Sequence, residues 1–152
     1  MKIINYTLKI LMLLNVIFFI DQEILFAKTS KAFVVIKIDN EIITNIDIKR
    51  EYKYLIALNN DLKKLEKKEI IQIAKNSLIR EKIKKKELIK FFNFEMENQY
   101  FDKVIQDFYL KLGIKDENSF KEYLMEFDLT MEEVEEKLKI ETFWNELIFG
   151  KY

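Results

Sequence analysis

The acid pairs Glu132-Glu133 and Glu135-Glu136 come nearest, by type and spacing, to residues that could do catalytic chemistry. Two neighbouring carboxylates with different pKa values can divide general-acid and general-base work between them. Here they open a helical pattern, where acids are favoured by the helix dipole, and so read as caps and surface charge. The 152-residue chain contains no His and no Cys. That removes the commonest base at neutral pH, the commonest zinc ligands and any thiol nucleophile. Its glycines are Gly113 and Gly150, so no glycine-rich phosphate loop is present. The expectation is a protein that is not an enzyme and uses no cofactor or metal.

The other chemistry on offer is non-covalent. Methionine adapts its shape to what it touches, and aromatic rings give contact area at little entropic cost. Met125, Met131, Trp144 and Phe149 in the last third of the chain are the candidate exposed apolar residues for binding peptide. Taken singly, each also suits a core position.

Such residues need a scaffold, and the composition points to helices. Nearly half of the chain is apolar, a third is charged, and proline is absent. This is globular composition, and a chain almost without breakers favours long helices joined by short polar turns. The segment from Phe33 to Ile38 reads as a strand and Asp39-Asn40 as a turn. Glu41 to Thr44 reads as a second strand, after which Asn45 or Thr44 caps a helix reaching Leu58. In that helix Ile46, Tyr54, Leu55 and Leu58 share a side.

Apolar spacing then marks a helix over Lys67–Lys90, with Ile71, Ala74 and Leu78 inward, Ile79 and Ile83 extending the face, and Leu88 and Ile89 closing it. A third helix covers Glu95–Leu112, with Gly113 at its C-terminus. A fourth is capped by Asp116 and carries Phe120, Tyr123, Leu124 and Phe127. Thr130 and Glu133 form a capping box for a fifth helix ending near Phe149. The fold class is therefore mainly α: an N-terminal two-stranded β-hairpin followed by about five amphipathic helices.

Net charge is zero, but the charge is unevenly spread. Residues 49–90 hold 14 Lys/Arg against 6 Asp/Glu, and residues 113–152 hold 5 against 11. The simplest reading is that the two segments attract one another when the helices pack. A nucleic-acid groove would need aromatic interleaving or a recognition motif, which residues 80–90 lack. The run Lys82-Ile83-Lys84-Lys85-Lys86-Glu87 reads as a solvated face with Ile83 turned inward.

Residues 1–27 read as a secretory signal: Lys2 and Lys9 precede an 11-residue apolar run, Ile10 to Ile20, interrupted at Asn15. Leu25-Phe26-Ala27 offers the cleavage site. The run is short for a membrane span, although an uncleaved leader would act as an anchor. With no cysteine, no lipid is attached through the leader.

Four of these features together resemble a family. They are the Val34 to Asp47 strand-turn-strand-helix start, the stretch Ser77-Leu78-Ile79-Arg80-Glu81-Lys82-Ile83, the segment Phe120-Lys121-Glu122-Tyr123-Leu124, and the final helix from Val134 to Ile148. In that order they resemble the N-terminal domain of the SurA-type periplasmic chaperones, relatives of trigger factor in fold. The likeness runs over about residues 33–149. The family usually continues into one or two parvulin-type prolyl isomerase domains and a further C-terminal helix, whereas this chain stops at Tyr152. Isomerase activity is therefore not carried over.

The resemblance implies a signal at 1–27 and a single helical chaperone-like domain at 28–152. The implied function is a periplasmic, ATP-independent holdase for unfolded polypeptides, notably outer-membrane protein segments, with no nucleic-acid partner. The alternatives are a membrane-anchored helical assembly protein binding one defined partner, and a truncated fragment of a peptidylprolyl isomerase chaperone.

Overall fold

A computed structural model of the chain describes residues 31–94 and 99–151. The leader expected over 1–27 and the helix start expected at Glu95 lie outside the described residues. The chain opens on strands β1 (Val34–Ile38) and β2 (Glu41–Thr44), followed by helices α1 (Asn45–Leu58), α2 (Lys67–Leu88), α3 (Gln99–Lys111), α4 (Glu117–Met125) and α5 (Met131–Lys151). A 3-10 turn at Asn60–Lys64 links α1 to α2. The expected mainly helical chain behind a small hairpin is the observed architecture.

β1 and β2 pair antiparallel, with Ile38 opposite Glu41 across the two-residue Asp39-Asn40 turn. Asp39 sits at φ 52°, a left-handed conformation that Asp tolerates better than most residues. Two strands alone are marginal in water, so the hairpin must lay one face on helices. Ile43 does this; it is almost wholly buried with Ile48 of α1 and Ala74 and Leu78 of α2. Ile36 and Ile38 pack against the same cluster.

The caps follow the local sequence. Thr44 rather than Asn45 opens α1. Its hydroxyl accepts from the Asp47 amide, and the Asp47 carboxylate accepts from the Thr44 amide in return. Asp116 caps α4 by accepting from the Ser119 amide. The capping box at α5 forms as expected, with Thr130 and Glu133 exchanging backbone-to-side-chain bonds of 2.9 and 3.3 Å. Gly113 follows α3 at φ 81°, where a side chain would be strained.

Three local expectations are corrected. Ile83 does not turn inward but is 53% exposed. The buried face of α2 is set by Ile70, Ala74, Leu78 and Leu88, and position 83 lies about 140° around the helix from Leu78. Ile89 is likewise exposed, because α2 ends at Leu88 and the chain turns away. Ile46 is at the edge of exposure, and α1 buries Ile48, Glu51 and Ala57 instead.

Among the described residues, most of the buried apolar side chains form two clusters. One lies under the hairpin. The other joins Ala57 to Ile105 and Tyr109 of α3, Phe120 and Leu124 of α4, and Leu129, Met131 and Val134 around the start of α5. A separate aromatic group centres on Phe143, which stacks on Phe92 at 4.6 Å and meets Phe94 and Phe101 edge-on. It fastens the α2–α3 connection to α5.

The basic and acidic segments do meet. Arg50, Lys53, Lys84 and Lys85 pair with Glu133, Asp128, Glu141 and Glu136 respectively. Exposed pairs of this kind contribute about 0–1 kcal/mol each, so they set register more than stability.

Candidate functional site

Among the described residues, a groove and a charged seam each combine space with polar and apolar side chains. The first is a groove of about 680 Å³ between α3 and α5. Val104, Asp107 and Lys111 of α3 form one wall at i, i+3 and i+7. Thr142, Asn145, Glu146 and Phe149 of α5 form the other at i, i+3, i+4 and i+7. Each set is therefore one helix face. The α3 face opposite this wall carries Phe101, Ile105 and Tyr109 into the interior.

The four candidate peptide-binding residues separate. Phe149 stands at the groove and is 85% exposed. Met125, at the end of α4, is 71% exposed but does not line the groove. Trp144 is half-buried on another side of α5, with the Lys84 ammonium 5.7 Å from its ring centre. Lys84 is itself held by the Glu141 carboxylate at 2.6 and 2.7 Å, so the indole is partly roofed. Met131 is a correction: the expected exposed residue is 8% exposed and belongs to the core. The turn at Asp128 (φ 54°) folds α5 back on α4, placing Met131 with Leu129, Phe120 and Leu124.

The second place is a charged seam between the two apolar clusters. Glu51 of α1 is 1% exposed. The Lys137 ammonium of α5 lies 2.7 Å from Glu51 Oε2 and also pairs with Glu81 of α2. It sits 5.0 Å from the centre of the Tyr54 ring. Burial pushes the Lys137 pKa down, but the Glu51 and Glu81 charges outweigh this and hold it above its ordinary value. Tyr54 is pushed strongly upward by burial, reinforced by Glu51, Glu81 and Glu141. The phenol therefore stays protonated at neutral pH. Three helices thus converge on one ammonium.

Sequence reasoning named Phe149 but not the rest of the groove, and it missed the seam, for identifiable reasons. The groove faces are mixed in polarity, so a search for apolar stripes passes over them. Glu51 falls at i+3 from Ile48, on the inward face of α1, and that spacing was the available signal. Glutamate is almost never fully buried unless paired, which argues against reading it as interior.

Among the described residues, no group of His, Cys, Asp and Glu could hold a metal ion, and no helix is long and apolar enough to cross a membrane. No family model, curated protein or solved structure matches the chain. The functional reading therefore rests on the chain's own surfaces.

Proposed function

We propose that this protein is an exported, ATP-independent holdase-type module that binds extended segments of non-native polypeptides along the α3–α5 groove. The observation that carries the reading is Phe149, a large ring left 85% exposed beside an open interhelical groove. Burying an aromatic ring of this kind against a partner is favourable by about 1.5–3 kcal/mol. The groove volume falls among ligand sites of about 300–1,000 Å³. Its polar side chains, Asp107, Lys111, Asn145 and Glu146, offer partners to the unpaired backbone of an extended chain. Such a surface favours many weak occupants over one tight one.

The SurA-like order of elements supports the same reading. It points to the periplasm as the compartment and to unfolded outer-membrane proteins as clients. Strands of those clients alternate apolar and polar residues and expose aromatics while unfolded. Release follows from weak, rapidly exchanging contacts, and the reading assigns the protein no catalytic step.

The test is suppression of aggregation. The purified protein, without nucleotide, should keep a diluted, urea-unfolded β-barrel protein in solution, and Phe149→Ala should weaken this while leaving the helical signal intact. No suppression at several-fold molar excess, or full suppression by the variant, rejects the groove reading. N-terminal sequencing addresses location: a start at Lys28 in the periplasmic fraction supports export, and an intact Met1 in membranes supports an anchored protein instead.

A further inference from the structure

β1 belongs to a two-stranded sheet, so among the described residues no strand pairs along its outer edge. The base of the strand is fixed: the Phe33 amide donates to Asn45 Oδ1, and the Phe33 carbonyl accepts from the Asn45 amide. The far edge of β2 closes where the chain enters α1, with the Thr44 amide given to Asp47. The outer edge of β1 is therefore the open one. A row of strand N–H and C=O groups is a template for another extended chain.

Apolar surface surrounds this edge. Phe33, Val34 and Ile42 of the hairpin remain 61%, 55% and 48% exposed. Ile83 of α2 lies one turn after Ile79, which packs with the Ile43 cluster, and one turn before Lys86, which pairs with Asp39 at the hairpin tip. It therefore borders the hairpin as an uncovered apolar floor. Charge narrows the choice of occupant. Asp39 and Glu41 are matched by Lys86 and Lys82. Lys37, in the middle of β1 and opposite Ile42, is exposed and has no ion-pair partner among the described residues. Opposite charges across neighbouring strands are favourable and like charges are not. A second β1 running antiparallel about Ile36 would bring two Lys37 side chains together, whereas a strand carrying a carboxylate would compensate the charge.

We propose that the open edge of β1 binds an extended polypeptide segment as a third strand, its alternate apolar side chains resting on Ile83 and an acidic side chain on the other face meeting Lys37. Main-chain hydrogen bonds supply the affinity in such strand addition, and the alternating side chains supply the selectivity. The period of two places the apolar and acidic residues of the segment on opposite faces. The edge is separate from the α3–α5 groove and stands or falls independently of the holdase reading.

The experiment is a titration, followed by two-dimensional NMR, with a capped heptapeptide in which valine alternates with threonine and the central polar residue is glutamate. Saturable shifts over Val34–Ile38 and at Ile42 and Ile83 are expected. A strand offers its N–H groups alternately to its two sides, so methylating one alternate set of peptide amides should abolish binding and methylating the other should leave it. Lysine in place of the glutamate should weaken binding about threefold, and Lys37→Glu should reverse that order. Ile83→Ala should weaken binding about fivefold. Should a variant unfold, the shift map and the methylated pair, both read on the unaltered protein, still decide. No shift, equal behaviour of the two methylated peptides, or shifts confined to the α3–α5 groove overturn the proposal, and the last of these leaves the holdase reading standing. A dimer of the free protein that the peptide breaks up would give the edge to a second copy and overturns it too.

Discussion

Lys137 Nζ lies 2.7 Å from Glu51 Oε2, and this contact joins the last helix to the first across the seam between two apolar clusters. Both side chains are largely withdrawn from water, with exposures of 18% and 1%. Removing one partner strands the other, whereas replacing both with apolar groups relieves the desolvation cost. Lys137→Ala should therefore destabilise the protein by about 3–5 kcal/mol. Glu51→Leu with Lys137→Met should return stability to within about 1 kcal/mol of the starting protein or above it. Urea unfolding measures both, and a double variant that loses as much stability as Lys137→Ala would contradict the expected rescue.

Phe143 and Phe149 sit six residues apart on α5 and have opposite environments. Phe143 touches three other rings, so Phe143→Ala should cost about 3 kcal/mol, the low end of the range for a core ring because Phe143 is only half-buried. Phe149 is mostly in solvent, and its alanine variant should stay within about 0.5 kcal/mol. Thermal unfolding of the two variants checks the contrast. A large loss at Phe149 would mean that its ring is covered in solution.

The Thr130–Glu133 capping box is a local, exposed device and should behave as one. Thr130→Ala should cost about 1 kcal/mol. For a chain of this size that lowers the melting temperature by a few degrees. Thr130→Ser, which keeps the oxygen, should restore most of it. An unchanged melting temperature in the alanine variant would place the start of α5 elsewhere.

Alkali should unfold the protein through the same seam. Burial raises the Tyr54 pKa above its ordinary 10.0, and Glu51 and Glu81 raise that of Lys137 above 10.5 despite burial. Below those ordinary values both groups are protonated in the folded and unfolded chains alike, and their contribution is fully present. Above them the unfolded chain releases protons that the folded chain retains, so stability falls as pH rises from about 10 towards the folded pKa values. Tyr54→Phe should flatten part of that fall. Urea midpoints collected from neutral pH upward report it, and a flat profile through pH 11 would contradict it.

Much of the architecture was legible because it is written in short-range chemistry. Thr44, Asp116 and Thr130 each find their partner three residues on, and Gly113 marks a helix end by its freedom at positive φ. The inward faces were harder. Ile83 has an apolar side chain and nearly helical spacing, yet no element covers it. Met131 looked like a surface methionine at a helix start, yet the turn at Asp128 folds it inward. Of the binding candidates, Phe149 and Met125 are exposed, but only Phe149 meets the groove.

The amino-acid sequence by itself determined the hairpin, the helices and their caps, because turns, caps and periodicity act over a few residues. It also determined that the basic and acidic segments would attract. The tertiary structure alone decided which faces meet, and so which apolar residues stay in solvent and which carboxylate becomes interior. Glu51, Glu81 and Lys137 are 30 and 56 residues apart along the chain. Their interaction exists only because packing brings three helices to one point and removes the water that would otherwise screen them.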